Sequence, residues 1–155
     1  MDARIVLVSD QPDTSGAADE LLDAALEEAG IDQAAVYRTT AVKQTAFAKR
    51  NGVREPRRAS SREAGACRPW LLAELAALRP PVIVCLGPLA AKAVLGPLFR
   101  FAEHRGEVFQ TNGALAIATH HPATALRVPA DVRAEVRAEL IIHLARALEL
   151  AGTGH

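Results

Sequence analysis

Apolar runs and apolar repeats follow one another along the chain and predict strands and helices in alternation. Continuous apolar runs predict strands at 4–8 and 82–86, and 36–40 is predicted as a strand between them. Apolar residues at helical spacing predict helices at 17–29, 62–78, 89–95 and 129–150. Segments 107–110 and 114–119 flank Asn112-Gly113, a turn that predicts a hairpin. The alternation favours an α/β fold, a three-layer α/β/α sandwich with a mainly parallel central sheet.

Length and turn signals set the expected boundaries. A chain of 155 residues has the size of one domain. We expect that domain to span 1–150 and residues 151–155 to form a frayed tail. Between 41 and 61 there is little apolar periodicity, much charge, and both Gly52 and Pro56, which predicts an irregular loop.

Two predicted helices have expected core faces. In the helix at 62–78, Pro69 should lie in the first turn or break the helix, because proline lacks the backbone N–H. The residues expected on its buried face are Trp70, Leu71, Leu75 and Leu78. Those of the last helix are Val132, Val136, Leu140, Ile141, Leu144 and Leu148.

Charge is balanced overall but unevenly distributed. The chain has 18 basic and 18 acidic residues and a net charge of zero. Acidic residues dominate 1–32, whereas 49–68 holds seven Lys or Arg and two Glu. A basic segment on a neutral domain indicates a phosphate-bearing partner, and the alternative is a loop kept soluble by its charges.

Composition also bears on compartment and cofactors. No stretch reaches the roughly 18–20 apolar residues of a membrane helix, and the start lacks a cationic lead and a cleavable apolar segment. We therefore expect a soluble, cytoplasmic protein that does not bind membranes.

Cys67 and Cys85 are the only cysteines, and Cys85 lies in an apolar run typical of the core. Two such thiols cannot supply the roughly four thiolates of an iron–sulfur cluster, and we expect no disulfide.

The histidine pair after the predicted strand 114–119 is the main site candidate. There the chain enters a polar segment, His120-His121-Pro122, predicted as a loop, and ligands bind at the carboxyl ends of strands in open α/β sheets. His120 should point to the opposite side of the strand and be structural. His121 either serves the site or only caps the strand end. His104, His143 and His155 are scattered without ligand spacing, so we expect no metal.

Five segments, in order, resemble the uracil-DNA glycosylase superfamily, and in particular its family-four branch and the DNA-crosslinking relatives of that branch. They are the turn Ser9-Asp10-Gln11-Pro12-Asp13, the strand end Thr39-Thr40-Ala41-Val42-Lys43, the helix segment 66–80, the pair Arg105-Gly106, and His121-Pro122-Ala123. The resemblance implies that a base is flipped out of DNA and that its N-glycosidic bond is hydrolysed.

The resemblance also implies a role for each matching residue. His121 would donate a hydrogen bond to the departing base, as an oxyanion hole does, while Asp10 and Gln11 would handle water. Substrate contacts would come from Thr40, Pro12, Lys43, Pro122 and Ala123. The DNA backbone would meet Lys49, Arg50, Arg54, Arg57, Arg58 and Arg127.

Several positions depart from the family pattern. Thr40 stands where relatives carry the asparagine that pairs with uracil, and a hydroxyl cannot give the donor–acceptor pair of an amide. No aromatic residue precedes Tyr37, so the ring that stacks on the base in relatives is missing. Val53 falls near the position of the crosslinking histidine, and Ala123 replaces a serine. We expect no covalent capture of DNA, no cofactor and no metal cluster.

These departures leave more than one function open. The first is a glycosylase with weakened or altered activity that acts on single- or double-stranded DNA, as a monomer. The second is a catalytically inactive DNA-binding module that uses the basic segment. The third is a protein-interaction or small-nucleotide-binding module on the same fold.

Overall fold

The computed structural model describes residues 4–12, 16–43, 47–56 and 59–153. Strands and helices alternate through most of these ranges, as predicted, and a short 3₁₀ turn at Gln33–Ala35 precedes the second strand. The elements are β1 (Ile5–Ser9), α1 (Ala17–Ala29), β2 (Val36–Thr40), β3 (Phe47–Arg50), β4 (Val53–Pro56), α2 (Ser61–Leu78), β5 (Val82–Leu86), α3 (Pro88–Leu95), α4 (Phe101–His104), β6 (Val108–Thr111), β7 (Ala114–Thr119), α5 (Pro122–Arg127) and α6 (Ala130–Thr153).

Five strands form the main sheet, in the order β2-β1-β5-β7-β6. The first four are parallel, and β6 runs antiparallel to β7. The register aligns their carboxyl ends, because Ser9 is opposite both Thr40 and Leu86, and Leu86 is opposite Thr119. Since β2 and β5 lie on opposite sides of β1, the strand order reverses there, and a crevice opens at the carboxyl ends.

Helices cover both faces of this sheet, which confirms the predicted three-layer α/β/α arrangement. Alternate strand residues point to opposite faces, so the strands contribute to two cores. One core joins α1 and α6 to Ile5, Leu7, Val84 and Ile117. The other joins α2 and α3 to Val6, Val8, Ile83 and Cys85, which confirms that Cys85 is a core residue.

The segment predicted as an irregular loop contains a hairpin, so that prediction is wrong in part. β3 and β4 pair antiparallel, with Arg50 opposite Val53, and they form a sheet of their own. Asn51 and Gly52 both have positive φ, 52° and 78°, which is the turn geometry that Asn-Gly favours. Charged residues obscure the strand pattern on either side of this turn.

Helix α2 corrects two details of the prediction. The helix continues from Ser61 to Leu78 through Pro69, which lies well past the first turn. The proline ring displaces the carbonyl of Gly65, four residues earlier. Both residues are exposed, so water can take the place of the missing hydrogen-bond donor at that carbonyl. Leu71 and Leu75 are buried as predicted, but Trp70 is 71% exposed because adjacent helical residues point about 100° apart.

The end of the chain is more ordered than predicted. Helix α6 extends through Thr153, and the carbonyl of Ala151, which is buried, accepts a hydrogen bond from Arg4. Residues 151–153 are therefore helical, whereas 154–155 lie outside the described residues. Val132 and Leu148, predicted to face the core, are each more than a third exposed, at the margins of the buried stripe.

None of the described helices has the length and apolar character required to cross a membrane.

Candidate active site

A cavity of about 290 Å³ lies in the crevice at the carboxyl ends of β1 and β2. Five predicted site residues line it, namely Gln11, Pro12, Thr40, His121 and Pro122. A second cavity, of about 500 Å³, is lined by the β6–β7 turn and the end of α2 and contains none of the predicted residues. The smaller cavity is therefore the candidate active site.

His121 is held at the start of α5 by a hydrogen bond to its own ring. The segment predicted as a loop is in fact helical from Pro122, and proline is favoured at a first helical position because its missing N–H has no partner there. Nδ1 of His121 accepts a hydrogen bond from the backbone N–H of Ala123, at 3.0 Å. In the neutral ring the proton must then be on Nε2, so Nε2 is the donor.

Asp10 and Gln11 are adjacent but point to different surroundings. Gln11 lines the cavity, and its Oε1 accepts a hydrogen bond from the backbone N–H of Ala59. Asp10 is 7% exposed, and its Oδ1 accepts a hydrogen bond of 2.8 Å from the backbone N–H of Ala90 in α3. The carboxylate thus satisfies the amino end of a helix whose Gly87 cap has no side chain.

Lys43 lies outside the cavity lining and is bound to β2 and α2. Its Nζ donates to Thr39 Oγ1 at 2.7 Å, to the Thr40 carbonyl at 2.6 Å and to Glu74 Oε1 at 2.9 Å. Glu74 also accepts hydrogen bonds from Tyr37 and Thr39. Burial alone would raise the pKa of Glu74, but these hydrogen bonds and the lysine charge lower it. This arrangement fixes the strand end that carries Thr40.

The predicted DNA-backbone residues are dispersed. Lys49 and Arg54 are exposed and lie opposite each other on the β3–β4 hairpin, and Arg50 is in the same strand as Lys49. Arg127 is exposed at the end of α5, near the cavity-lining Pro122 in sequence. Arg57 and Arg58 lie outside the described residues.

A partly buried polar cluster surrounds His120 and was not predicted. Glu139 of α6 accepts a hydrogen bond of 2.5 Å from Arg105 Nε, and its Oε2 lies 3.1 Å from Nε2 of His120. That contact is an ion-pair distance rather than a hydrogen bond, and among the described residues His120 Nε2 has no hydrogen-bond partner. His143, one helical turn after Glu139, contacts Thr119 Oγ1 at 2.7 Å through Nδ1.

Charge and burial shift the pKa values of this cluster in ways that keep its carboxylate ionised. Burial would raise the pKa of Glu139, but Arg105 and His120 together outweigh burial and hold it at about 2. Burial lowers the pKa of His143. His120 points away from the cavity, as predicted, and the cluster supports the strand end that carries His121.

Two charged residues of the cavity were missed in the sequence. Arg38 and Asp19 both line it, from β2 and α1. Strand alternation could have indicated Arg38, since residues 38 and 40 must share a face of β2. Asp19 had no comparable signal, because its place depends on how α1 packs.

The two cysteines lie in different apolar clusters. Cys85 is fully buried in β5, and that burial raises the pKa of its thiol, whereas Cys67 lies on α2 in a separate apolar cluster. Among the described residues, no three His, Cys, Asp or Glu side chains are arranged to hold a metal ion.

The site is thus a crevice at the carboxyl ends of an α/β sheet, and the ring of His121 is oriented in its wall by the Ala123 N–H. The family model described as the uracil DNA glycosylase superfamily matches residues 2–145. A type-4 uracil-DNA glycosylase of Pyrobaculum aerophilum is 33% identical over 142 residues, which cover 86% of this chain and 68% of that protein. A type-5 uracil-DNA glycosylase of the same organism is 35% identical over 96 residues, covering 61% and 39%. The chain belongs to the uracil DNA glycosylase superfamily.

Proposed function

We propose that this chain is a DNA glycosylase that hydrolyses the N-glycosidic bond of a flipped uracil or another damaged base. The observation that carries the proposal is the hydrogen bond from the Ala123 N–H to His121 Nδ1, at 3.0 Å. It fixes a neutral imidazole with its Nε2–H as donor at the wall of a cavity. Family membership and the type-4 relative support the same reaction.

The chemistry would use that donor where negative charge develops. When the bond from the sugar C1′ to the base breaks, its electron pair leaves with the base, and the sugar becomes cation-like. The Nε2–H of His121 would stabilise the departing anion. A water oxygen then bonds to C1′ and gives up a proton, the base gains one through solvent, and the net reaction consumes one water.

Water handling would fall mainly to Gln11 rather than to Asp10. Both side chains accept a backbone hydrogen bond, Asp10 from Ala90 and Gln11 from Ala59, but Asp10 is 7% exposed whereas Gln11 lines the cavity. An amide orients water but cannot act as a base at neutral pH. Together with the hydroxyl of Thr40 in place of an amide, this favours weakened activity or altered base choice.

The second candidate is a catalytically inactive DNA-binding module, and the same engagement of Asp10 favours it. Its DNA contacts would come from the exposed Lys49 and Arg54 of the hairpin and from Arg127. Phosphate contacts of this kind give affinity without sequence reading and weaken steeply as salt rises.

The test is single-turnover base release from single-stranded oligonucleotides that contain uracil, hypoxanthine or thymine, with enzyme in excess. His121→Asn is the key variant, because asparagine is a good helix cap but removes the imidazole donor. We expect its rate to fall about 10²–10³-fold, the usual loss for one positioned donor. His104→Ala, on α4 and outside the cavity lining, is the matched control and should keep the wild-type rate.

Two results would decide against the proposal as stated. Release that is unaffected by His121→Asn would remove His121 from the chemistry. No release from any substrate, with salt-sensitive DNA binding retained, would favour the binding module.

A further inference from the structure

Helix α6 contacts the chain on both sides of His121. Before it, Nε2 of His120 lies 3.1 Å from Oε2 of Glu139. After it, the carbonyl of Ala125 in α5 accepts a hydrogen bond of 3.0 Å from Nε of Arg133. Glu139 and Arg133 both belong to α6, and none of the described residues that line the cavity does. A helix outside the cavity lining therefore holds the segment that carries the proposed donor.

The side chain of His120, rather than its backbone, anchors this residue. Its N–H and carbonyl make no hydrogen bond to other backbone groups among the described residues. The carbonyl of the preceding Thr119, in contrast, accepts a hydrogen bond of 3.0 Å from the Gly87 N–H. The side chain of His120 is 12% exposed, and its ring meets the Phe101 ring edge-on, with the centroids 6.4 Å apart. Loss of these ring contacts would loosen the link between β7 and His121.

Glu139 is itself held in one orientation. Its Oε1 accepts a hydrogen bond of 2.5 Å from Arg105 Nε, and its Oε2 faces His120. Arg105 also lies over the Phe101 ring, 5.7 Å from the centroid. A carboxylate beside a ring nitrogen favours a proton on that nitrogen, so the carboxylate and the ring attract each other. Glu139 and Phe101 thus both restrain the His120 ring.

A displacement of His121 should matter more for bond breaking than for DNA binding. Its Nε2–H must meet the departing base where negative charge develops, and a misplacement of about 1 Å can cost about 10²-fold in rate. An interaction that is made mainly in the transition state raises the rate without raising the affinity for the substrate. Residues that position His121 should therefore act on the rate of base release.

We propose that Glu139 is a positioning residue, which acts through His120 to hold the imidazole of His121 in place for base release. The proposal rests on the proposed function, since it concerns the same reaction. It predicts that Glu139 and His120 affect the rate only while His121 is present.

The experiment is a double-mutant cycle, measured as single-turnover release of the base that the wild type releases fastest from a single-stranded oligonucleotide. Glu139→Ala removes the carboxylate, whereas His120→Phe keeps an aromatic ring beside Phe101 but removes the ring nitrogens. Each substitution is made alone and together with His121→Asn. Glu149→Ala, from an exposed ion pair on the same helix, is the matched control. Thermal unfolding of each variant checks that the fold is intact.

Glu139→Ala and His120→Phe should each lower the release rate about tenfold or more, and Glu149→Ala should keep the wild-type rate. Dissociation constants for a 2′-fluoro analogue, which resists cleavage, should change by less than about twofold. In the His121→Asn background, Glu139→Ala and His120→Phe should lower the rate no further, because the donor that they position is gone.

A second readout does not depend on catalysis. The Ala123 N–H donates to Nδ1 of His121, so exchange of this amide hydrogen with deuterium reports whether the ring is held in place. NMR should show faster exchange of the Ala123 amide in Glu139→Ala and in His120→Phe than in the wild type, with the amides of β1 and β5 unchanged.

Failure of this inference and failure of the proposed function give different results. Unchanged rates in Glu139→Ala and His120→Phe, or a loss in only one of them, would overturn the inference and leave the glycosylase intact. Equal losses in the wild-type and His121→Asn backgrounds would overturn it too, because the pair would then act on the fold and not through His121. If the wild type releases no base, the proposed function fails, and exchange at Ala123 decides: faster exchange in both variants supports the positioning of His121, and unchanged exchange overturns it.

Discussion

The carboxylate of Asp10 lies directly beneath Gly87. A Cβ at position 87 would be 2.5 Å from Oδ2 of Asp10, and the other carboxylate oxygen accepts the Ala90 N–H. The φ of Gly87 is 112°, a conformation that side-chain-bearing residues rarely adopt. The end of β1 and the start of α3 are thereby fixed to each other, at the floor of the crevice.

Gly87→Ala should destabilise the protein by roughly 1–3 kcal/mol, because the new methyl group meets the carboxylate and the backbone is strained. Urea unfolding measures the change in the free energy of unfolding. Gly65→Ala is the matched control, since its Cβ would meet no atom within 4 Å and the position is helical. That control should be neutral or slightly stabilising. Equal stability of Gly87→Ala and the wild type would contradict the contact with Asp10.

The ion pair between Arg105 and Glu139 should make stability depend on acid pH. The folded-state pKa of Glu139 is about 2, below its ordinary value of 4.5. The unfolded chain therefore binds this proton first as pH falls, so the contribution is complete above about pH 4.5 and is lost toward pH 2. Glu139→Gln should remove that part of the pH dependence, as measured by unfolding midpoints across the range. Glu149→Gln, in an exposed pair with Arg146, should leave the profile nearly unchanged.

The two cysteines should differ sharply in thiol reactivity. Burial, and to a lesser degree the charge of Asp10, raises the pKa of Cys85, while Cys67 is partly exposed on α2. Because the thiolate is the reactive form, a chromogenic thiol reagent should label one cysteine in the folded protein and two in denaturant. Cys67→Ser should abolish the fast phase. Rapid labelling of two thiols under native conditions would argue against a closed core around β5.

The hairpin should contribute to DNA binding through phosphates. Lys49 and Arg54 are exposed and lie directly opposite each other, so both can approach one stretch of DNA backbone. Lys49→Ala should lower the slope of log affinity against log salt by about 0.7 for single-stranded DNA, the value for one phosphate contact. Fluorescence anisotropy with a labelled oligonucleotide measures the slope. Arg146→Ala is the control, and an unchanged slope in Lys49→Ala would exclude this contact.

The sequence predicted the elements whose signal is local. Buried strands such as β5 are continuous apolar runs, and the Asn112-Gly113 turn stands between two clear strands. The sequence did not predict the equivalent turn at Asn51-Gly52, because the residues on either side of it are mostly charged and show no apolar alternation. Asn-Gly thus predicts a hairpin where apolar strands flank it, at 112–113, but not where charged residues flank it, at 51–52.

The sequence could predict only those site residues that belong to short continuous motifs. Contacts between residues that are distant in the sequence could not be predicted. The sequence could single out His121 and Gln11, which both line the cavity, because each belongs to a short motif at a strand end. The hydrogen bond between Asp10 and Ala90 joins residues 80 positions apart, and the contact of His120 with Glu139 joins the segment after β7 to helix α6. Neither has a local pattern, because each depends on how the helices pack on the sheet.

The separation of β3 and β4 from the main sheet has a consequence for local unfolding. Each pairs only with the other in the described part of the chain, whereas β1, β5 and β7 lie inside a sheet covered on both faces. Isolated two-stranded hairpins are marginally stable in water, so their amide hydrogens should exchange with deuterium long before those of the central strands. If DNA binds to Lys49 and Arg54, amide exchange in the β3–β4 hairpin should become slower. DNA binding would then be observed as a gain of local order in the hairpin.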